Sequence, residues 1–374
     1  MQKRIFRWLS RQSSERYRQL PVLNRETYAS QPDITVHHFG EAETAHFGES
    51  YHIQDLPQEF RENMLGTVQY PQPFVLEVKR GILRGRHAVA LSSDEQIILE
   101  SLLNHAPYLS ESSIGRIHYP QTISQLVQQM SYVQHYETVF SLVNQFSAGF
   151  FHWLLESLPR LWLLKQYEAQ IEHNIPVLID PNPPAYITET LQMMGIQDII
   201  EWDATFARVE RLLIPMALHG TGRPSGFATQ WVHDELIASI GDDLPVFDAP
   251  KLYLSRDSAA KRHVLNELEV LNFLEPLGYQ SFQLENLSIK EQIALFTQAK
   301  HILGPHGAGF ANAIHSSEAT LLEFFEPSYV NACYYRLANL RNFDYGFLLA
   351  ESEGLNMRVD IQKLEQIMAQ MDLL

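Results

Sequence analysis

The stretch that decides the fold is HILGPHGAGFAN at residues 301–312, an apolar run that ends in a glycine-rich loop. The run predicts a short buried strand, the glycines at positions 304, 307 and 309 predict a tight loop, and a short helix is expected to follow. Glycine lets the backbone approach an anion closely, and the start of a helix favours negative charge. The spacing matches neither G-x-G-x-x-G nor the Walker A pattern. A phosphate-binding loop and a simple tight turn are therefore both open on this stretch alone.

The residues around the loop alternate between predicted strands and predicted helices. Strands are predicted at 252–255 and 320–325, and helices at 264–277, 288–299 and 361–371. Ser288 followed by Glu291 forms a capping-box pattern, and Asp360 suits the N-cap of the last helix. Such alternation is typical of a parallel sheet that is covered by helices.

A similar alternation precedes residues 241–250, a polar, acidic and proline-containing segment that we interpret as a linker. Helices are predicted at 151–170 and 184–194, and strands at 74–78, 88–91, 175–179 and 211–214. The whole pattern predicts an α/β protein with two Rossmann-like domains, residues 1–240 and 251–374. We expect them to face each other across a cleft that binds the ligand at the strand ends, with the C-terminal helix packing back.

Composition narrows the class of protein. The chain has 374 residues, of which 45% are hydrophobic and 19% are charged, as in a globular protein. The formal charge of −16 argues against nucleic acid as a partner. The single cysteine, Cys333, permits no intramolecular disulfide and fits a reducing compartment, so we expect a cytoplasmic protein in which Cys333 is a buried apolar residue.

The first 18 residues depart from this acidic average, with six basic residues against one acidic residue. Ile5, Phe6, Trp8 and Leu9 are interleaved with these charges. Such a segment suits peripheral contact with the anionic inner face of a membrane, although a solvated tail has the same composition. The most apolar stretch, residues 150–164, is interrupted by charged residues and predicts no membrane span.

Charged residues are predicted at strand ends near the glycine loop. Arg256 follows one strand and Arg262 lies six residues later, and arginines in such a place suit bidentate binding of a diphosphate. Surface ion pairs with Asp257 or Glu267 are the alternative. Glu323, near the end of the 320–325 strand, is placed to accept hydrogen bonds from ribose hydroxyls, or else it faces outward on a half-buried strand.

A second candidate group lies in the predicted helix at 151–170. His152 and Glu156 are four residues apart and therefore share a helix face amid apolar neighbours. Such a carboxylate–imidazole pair can have the shifted pKa that a general base requires, and it can equally be a contact on a helix surface. The loop HGTGRPSGF at 219–227 is interpreted as a surface turn, with a place in the cleft as the alternative.

Sequence patterns for metal binding are weak. The chain contains no D-x-D, no H-E-x-x-H and no G-x-S-x-G, and His37-His38 is its only close histidine pair. A metal-bridged nucleotide-sugar site, a zincin site and a hydrolase nucleophile elbow therefore have no support. We expect neither a metal ion nor another cofactor.

Three blocks, taken together and in order, resemble glycosyltransferase family 61. They are FHWLLESLPRLWLL at 151–164, LYLSRDSAAKRHVLNE at 252–267, and GPHGAGFANAIH at 304–315 with LLEFFEP at 321–327. The resemblance extends from about residue 145 to about residue 350. It implies a GT-B fold with the donor in the cleft, and an inverting, metal-independent mechanism.

The resemblance also implies roles for individual residues. Glu156, where the better-known eukaryotic members have aspartate, is the implied base for the acceptor hydroxyl, and His152 orients that base or contacts a substrate. The implied nucleotide-sugar-binding residues are Arg256, Arg262, His306, Gly307, Ala308, Gly309, Asn312 and Glu323.

The function expected from these residues is transfer of a sugar from a nucleoside-diphosphate donor, preferably UDP-linked, to a hydroxyl group. A glycan or a lipid-linked precursor is the expected acceptor, in the synthesis of a cell-surface polysaccharide. A glycoside hydrolase with Glu156 as one of two carboxylates is one alternative. A non-catalytic protein that binds a nucleotide or a sugar is the other.

Overall fold

The computed structural model describes residues 21–48, 65–102, 133–204, 206–259 and 261–374. These residues form two large sheets with helices packed around them. The basic segment 1–18 lies outside the described residues, so its membrane contact stays a prediction. Within the described ranges, no helix combines the length and the apolarity needed to cross a membrane.

The described part of the chain's first half contains eleven strands, nine of which form a mixed sheet. Its strands are β1 (Val22–Leu23), β2 (Ile34–His38), β3 (Glu43–Phe47), β4 (Gly66–Tyr70), β5 (Phe74–Arg84), β6 (Val89–Leu91), β7 (Ile97–Ile98), β8 (Gln134–Ser141), β9 (Val177–Ile179), β10 (Ile199–Glu201) and β11 (Phe206–Pro215). The order is β1-β7-β6-β5-β11-β8-β9-β10, with β2 beside β5, while β3 and β4 pair separately.

A Rossmann-like arrangement was expected throughout this half, but parallel pairing among the described residues is confined to the run β11-β8-β9-β10 and the short pair β1-β7. Strand β5 runs antiparallel to β2, β6 and β11. For β6 the reason is local, since a four-residue turn joins β5 to β6 and a connection this short permits only antiparallel pairing. For β11 it is not local, because β11 lies more than 100 residues further along the chain and is brought beside β5 by the fold. The expectation therefore describes the parallel part of the sheet and not its β5 side.

The second half builds a parallel sheet, as predicted. Its strands are β12 (Lys251–Leu254), β13 (Gln280–Phe282), β14 (His301–Pro305), β15 (Thr320–Phe325) and β16 (Asp344–Leu349). They are ordered β13-β12-β14-β15-β16, and every neighbouring pair is parallel. A small hairpin of β17 (Glu351–Glu353) and β18 (Asn356–Arg358) follows. Because the strand order reverses between β12 and β14, a crevice is expected outside their carboxyl ends.

Eight α-helices are present in the described ranges: α1 (Phe150–His152), α2 (Leu161–Ile171), α3 (Ala185–Met193), α4 (Gly226–Ile240), α5 (Glu267–Leu274), α6 (Ile289–Gln298), α7 (Cys333–Arg341) and α8 (Ile361–Gln370). The capping box at Ser288 and Glu291 is confirmed. Asp360 caps α8 by accepting hydrogen bonds from the backbone N–H groups of Gln362 and Lys363. Each cap satisfies N–H groups that the first helical turn leaves without partners.

The two sheets share much of their interior. One hydrophobic cluster contains Leu212 and Leu213 of β11 together with Leu252 of β12 and Ile302 of β14. Helix α8 packs back on the second sheet, in a smaller cluster with β12 and β15. Residues 241–249 form neither helix nor strand. The division into domains at this segment and the GT-B arrangement of the halves stay predictions.

Candidate active site

A pocket opens where the strand order of the second sheet reverses. Leu254 and Ser255, at the end of β12, and Pro305, at the end of β14, line it. Phe150 of α1 and Tyr186 of α3 line it as well, so both halves of the chain contribute to its wall. The topology of the sheet thus creates a ligand-sized crevice between the two halves.

The glycine loop borders this pocket, and two of its glycines are needed for different reasons. Gly304 has a φ of +150°, and a Cβ there would lie 2.6 Å from the carbonyl oxygen of Leu254, so only glycine allows this close approach of β14 to β12. Gly307 has an extended backbone, with a φ of −169°, that any residue can adopt. A Cβ at Gly307 would instead collide with the guanidinium of Arg256. The predicted loop, followed by a 3-10 helix at Ala308–His315, is confirmed, and phosphate binding by it stays a prediction.

Arg256 and Arg262 lie near each other, and the first of them brings positive charge to the pocket. Arg256 lines it; its Nε is buried without a hydrogen bond to any described residue, and its Nη2 reaches only the carbonyl oxygen of Lys261, at 3.4 Å. The guanidinium of Arg262 lies over the ring of Tyr329, 4.9 Å from its centroid. Burial, and after it the like charge of Arg262, lower the pKa of Arg256. An anionic ligand would relieve this repulsion.

The alternative of surface ion pairs for these arginines is not observed. Glu267 accepts hydrogen bonds from the hydroxyls of Tyr253, at 3.0 Å, and Ser255, at 3.1 Å. The ion pairs formed among the described residues include neither Arg256 nor Arg262. The Arg256 guanidinium, which lines the pocket, is therefore available to a ligand.

Glu323 and Asn312 are both buried and make hydrogen bonds within the protein. The Glu323 side chain is 0% exposed, and its two oxygens accept hydrogen bonds from His306 and Tyr345. The buried amide of Asn312 donates to Oε1 of Gln292, at 2.9 Å. Contacts of these two side chains with a nucleotide stay predictions. Strand β15 lies inside the sheet with both faces covered, so the half-buried, outward position weighed for Glu323 is wrong.

The predicted His152–Glu156 pair is formed. Nδ1 of His152 lies 2.8 Å from Oε2 of Glu156, and because a carboxylate only accepts hydrogen bonds, Nδ1 carries the proton. Glu156 is 1% exposed, whereas the His152 side chain is 26% exposed and stacks on Phe146. Burial alone would raise the pKa of Glu156, but the hydrogen bond and charge of His152, with smaller contributions from His219 and Gly222, lower it. The carboxylate is thus ionised and enclosed, and the imidazole is its accessible partner.

Pro159 explains how a distant loop reaches this pair. Proline has no N–H and its ring blocks the carbonyl four residues earlier, so the carbonyl of Leu155 is left free, and the helix between α1 and α2 changes to a π turn and a 3-10 turn. Nε2 of His219 lies 2.5 Å from that carbonyl oxygen. The same loop then brings the N–H of Gly222 to Oε1 of Glu156, at 3.1 Å.

The interpretation of residues 219–227 as a surface turn was therefore wrong. His219 is buried, and Gly222 donates directly to the candidate catalytic carboxylate. The available signal was Pro159, which leaves a helical carbonyl in need of a donor. A sequence pattern cannot say which donor arrives, because His219 is 64 residues away from Leu155.

Helix α7 joins the two groups of site residues. The ring of Tyr334 contacts Phe151 beside His152, at 5.6 Å between centroids, and it contacts His306 at 5.4 Å. Cys333 is buried as predicted, and burial raises the pKa of its thiol well above the ordinary value. Tyr334, Tyr329 and Tyr186 carried no motif and were missed by sequence reasoning, although they form much of the site's aromatic wall.

The site contains no cluster of metal ligands in the part of the chain that the structure describes. No group of three histidine, cysteine, aspartate or glutamate side chains there is arranged to hold a metal ion.

Comparison with known proteins adds an independent finding. Residues 150–322 match the family described as Glycosyltransferase 61. The matched region includes His152, Glu156, Arg256, Arg262 and the glycine loop, and it ends one residue before Glu323. No curated protein matches the chain.

Proposed function

Since this chain belongs to glycosyltransferase family 61 and is a glycosyltransferase, we propose that it transfers a sugar from a nucleoside-diphosphate donor to an acceptor hydroxyl with inversion at the anomeric carbon. The observation that carries the proposal is the pocket at the strand reversal, where Arg256, which forms no ion pair among the described residues, meets the glycine loop. Diphosphate is the ligand class that such charge and shape suit best.

Inversion requires one displacement, and the His152–Glu156 pair supplies the base for it. The acceptor oxygen bonds to the anomeric carbon while its proton passes to Nε2 of His152, and the bond from that carbon to the diphosphate breaks with both electrons leaving on phosphate oxygen. Glu156 holds the Nδ1 proton and stabilises the imidazolium that results. Because Glu156 is enclosed and His152 is open, this division of roles fits the geometry better than direct proton transfer to Glu156.

The other requirement is to stabilise the negative charge that develops on the departing diphosphate. Arg256, Arg262 and the start of the 3-10 helix at Ala308–His315 provide positive potential at the place where that charge develops. These groups supply the stabilisation that a divalent cation gives in D-x-D enzymes, so we propose a metal-independent reaction. Uracil is the proposed base, and a glycan or lipid-linked precursor of a cell-surface polysaccharide, made in the cytoplasm, is the proposed acceptor.

Thermal unfolding with UDP, GDP, ADP or CMP, each with and without EDTA, tests the donor class. A ligand at about one hundred times its Kd stabilises the native state by about 2.7 kcal/mol, which gives a measurable rise in Tm. We expect UDP to give the largest rise and EDTA to leave it unchanged. Arg256→Ala should weaken UDP binding by about tenfold or more, because a charge-assisted contact is lost.

Arg208→Ala is the matched control, since Arg208 is an exposed arginine on β11 outside the pocket. It should bind UDP as the wild-type protein does. No rise in Tm with any nucleotide would refute the donor class, and a rise that EDTA abolishes would refute metal independence.

A further inference from the structure

The candidate base pair is contacted by a loop that has little hydrophobic anchoring of its own at the point of contact. Gly222 donates its N–H to Oε1 of Glu156, at 3.1 Å, yet its neighbours Thr221 and Arg223 are both exposed. An exposed loop segment left to itself samples many conformations, and fixing it has an entropic cost. Another contact is therefore needed to keep this amide directed at the carboxylate.

The two ends of the loop are fixed by the first half of the chain. At its start, Nε2 of His219 lies 2.5 Å from the carbonyl oxygen of Leu155. Near its end, the hydroxyl of Tyr70 donates to the carbonyl oxygen of Pro224, at 2.9 Å. These contacts set where the loop begins and ends, but they do not involve Gly222 itself.

The middle of the loop is held from the second half by Arg336, which lies on α7. Nη1 of Arg336 donates a hydrogen bond to the carbonyl oxygen of Gly222, at 3.0 Å. Arg336 is 7% exposed, and its guanidinium lies over the ring of Phe47 on β3, 6.0 Å from the centroid. A planar guanidinium enclosed in this way has few orientations open to it, so the direction of its donor is fixed.

Gly222 is thus held on both sides of its α-carbon. Its N–H contacts Glu156 of the first half, and its carbonyl contacts Arg336 of the second half. The backbone of Gly222 has a φ of +68°, a left-handed conformation that L side chains rarely adopt, and a Cβ there would lie 3.7 Å from Cβ of Cys333. One glycine conformation therefore sets the direction of both hydrogen bonds, and neither can move without the other.

We propose that Arg336 is a positioning residue for the candidate base. By holding the Gly222 carbonyl it keeps the Gly222 N–H on Glu156, and Glu156 in turn keeps the His152 ring oriented for the acceptor proton. This proposal rests on the proposed function, because orientation of the pair matters for transfer only if the pair is the base. A base built in the first half of the chain is then completed by a residue of the second half, 114 residues beyond Gly222.

The contact matters because the two oxygens of Glu156 have different partners. Oε2 lies 2.8 Å from Nδ1 of His152, and Oε1 accepts the N–H of Gly222. A carboxylate held at only one oxygen can rotate about its last bond, and the imidazole would move with it. A displacement of about 1 Å can lower a rate by about 10²-fold. Since Arg336 is not part of the pocket lining, donor affinity should not depend on it.

Arg336→Met removes the hydrogen-bond donor and keeps a long side chain in the same space. Release of UDP from UDP-glucose, UDP-galactose, UDP-xylose or UDP-N-acetylglucosamine, with water as the acceptor, gives a rate that requires no identified acceptor. We expect kcat to fall by about 10- to 100-fold. The Kd of UDP, measured by isothermal titration calorimetry on the full chain, should change by less than about twofold. An unchanged kcat would overturn the proposal.

Arg341→Met is the matched control, because Arg341 lies on the same helix and donates to the backbone carbonyl of Ser316, at 2.9 Å, and not to that of Gly222. It should keep the wild-type kcat. An equal fall of kcat in Arg341→Met would overturn the proposal, because the loss of either arginine from α7 would then have the same effect.

A double-mutant cycle tests whether Arg336 acts through Glu156. In the Glu156→Gln background the carboxylate is already gone, so Arg336→Met should lower kcat by less than about twofold further. Additive losses would overturn the proposal, since Arg336 would then act by another route. If Arg336→Met fails to fold, Arg336→Gln replaces it in both experiments, because its polar side chain ends before the position of Nη1.

Hydrogen exchange of the Gly222 amide tests the positioning without any ligand. The amide should exchange slowly in the full wild-type chain and about tenfold or more faster in Arg336→Met, while the amides of β14 keep their wild-type rates. Equal acceleration in β14 would indicate general destabilisation and overturn the proposal. Fast exchange of this amide in the wild-type protein would overturn it even if neither variant folded.

These experiments separate the proposal from the proposed function. A wild-type protein that binds no nucleotide and releases no UDP would refute the proposed function, and exchange of the Gly222 amide would still decide whether Arg336 holds the loop. A wild-type protein that is active and has an active Arg336→Met variant would refute the positioning role alone.

Discussion

Two of the imidazole–carboxylate pairs in the described structure, His152–Glu156 and His306–Glu323, share their chemistry and differ in their exposure. The His152 side chain is 26% exposed, whereas His306 is enclosed by aromatic rings. Both carboxylates are buried. An exposed imidazole can exchange its proton with a substrate, and an enclosed one is shielded from that exchange. Exposure, and not residue type, is therefore what marks His152 as the proposed base.

The pairs also differ in how the chain builds them. His152 and Glu156 are held by the spacing of one helical segment, so any sequence that folds into this helix brings them together. His306 and Glu323 meet because β14 and β15 are neighbours in the sheet, with Gly304 opposite Glu323 in the register. The first pair is a local feature, and the second exists only in the folded sheet.

Replacing either residue of the partly exposed pair, His152 and Glu156, should have the largest effect. His152→Asn and Glu156→Gln should each lower the rate of sugar transfer by about 10²–10⁴-fold, because positioned proton transfer is lost. UDP affinity should stay at the wild-type value, and the exposed His173→Asn is the control. Full transfer activity in Glu156→Gln would remove that carboxylate from the mechanism.

The carboxylate of the same pair predicts how folding stability responds to acid. The pKa of Glu156 is held below its ordinary value of 4.5, so the carboxylate stays ionised through the mildly acidic range. Its contribution to folding stability is therefore present above about pH 4.5 and is lost as pH falls through the lowered pKa. Urea unfolding of the wild-type protein and of Glu156→Gln, compared between pH 7 and pH 3, measures this contribution.

An intermediate effect is expected at Gly307, where the glycine loop contacts Arg256. Gly307→Ala places a methyl group against the Arg256 guanidinium, which must move, so UDP affinity should fall by about three- to tenfold. Because the side chain that moves is flexible and the backbone is extended, the free energy of unfolding should change by less than about 1 kcal/mol.

A double-mutant cycle isolates this contact. In the Arg256→Ala background the methyl group has no guanidinium to displace, so Gly307→Ala should change UDP affinity little. Additive losses of affinity in the double variant would mean that Gly307 contacts the ligand directly and does not act through Arg256.

The smallest effect is expected from a histidine pair that has no carboxylate partner. His233 and His315 meet with their Nδ1 atoms 3.3 Å apart between α4 and the 3-10 helix at Ala308–His315. Burial lowers the pKa of both, and that of His315 is further lowered by the charges of His233 and Arg341.

Because these rings are neutral when folded and titrate near pH 6.5 when unfolded, the unfolded state binds more protons at acid pH. These rings should leave the free energy of unfolding unchanged above pH 6.5. Below pH 6.5, each of the two histidines should lower the free energy of unfolding by up to about 1.4 kcal/mol for every pH unit. Urea unfolding of His315→Gln from pH 7 to pH 5 should show a flatter slope, whatever its absolute stability. An equal slope would place the titration elsewhere.

Sequence reasoning succeeded where the determinants are close along the chain. The Ser288–Glu291 capping box, the Asp360 cap and the strand–loop–helix around Gly304 are encoded within a few residues and were all confirmed. The contact between His152 and Glu156 follows from helical spacing alone. It failed for β5, because the direction of pairing depends on which strand becomes its neighbour.

The sequence by itself determined the parallel second sheet, the glycine loop at its strand reversal and the identity of the open His152–Glu156 pair, since periodicity, turn residues and caps act over short distances. Only the tertiary structure decided that Glu323 contacts His306, and that the Leu155 carbonyl freed by Pro159 is taken by His219. Those contacts join segments 17 and 64 residues apart. The physical reason is that a buried polar group must find a partner, and which partner it finds depends on the neighbours that chain packing provides.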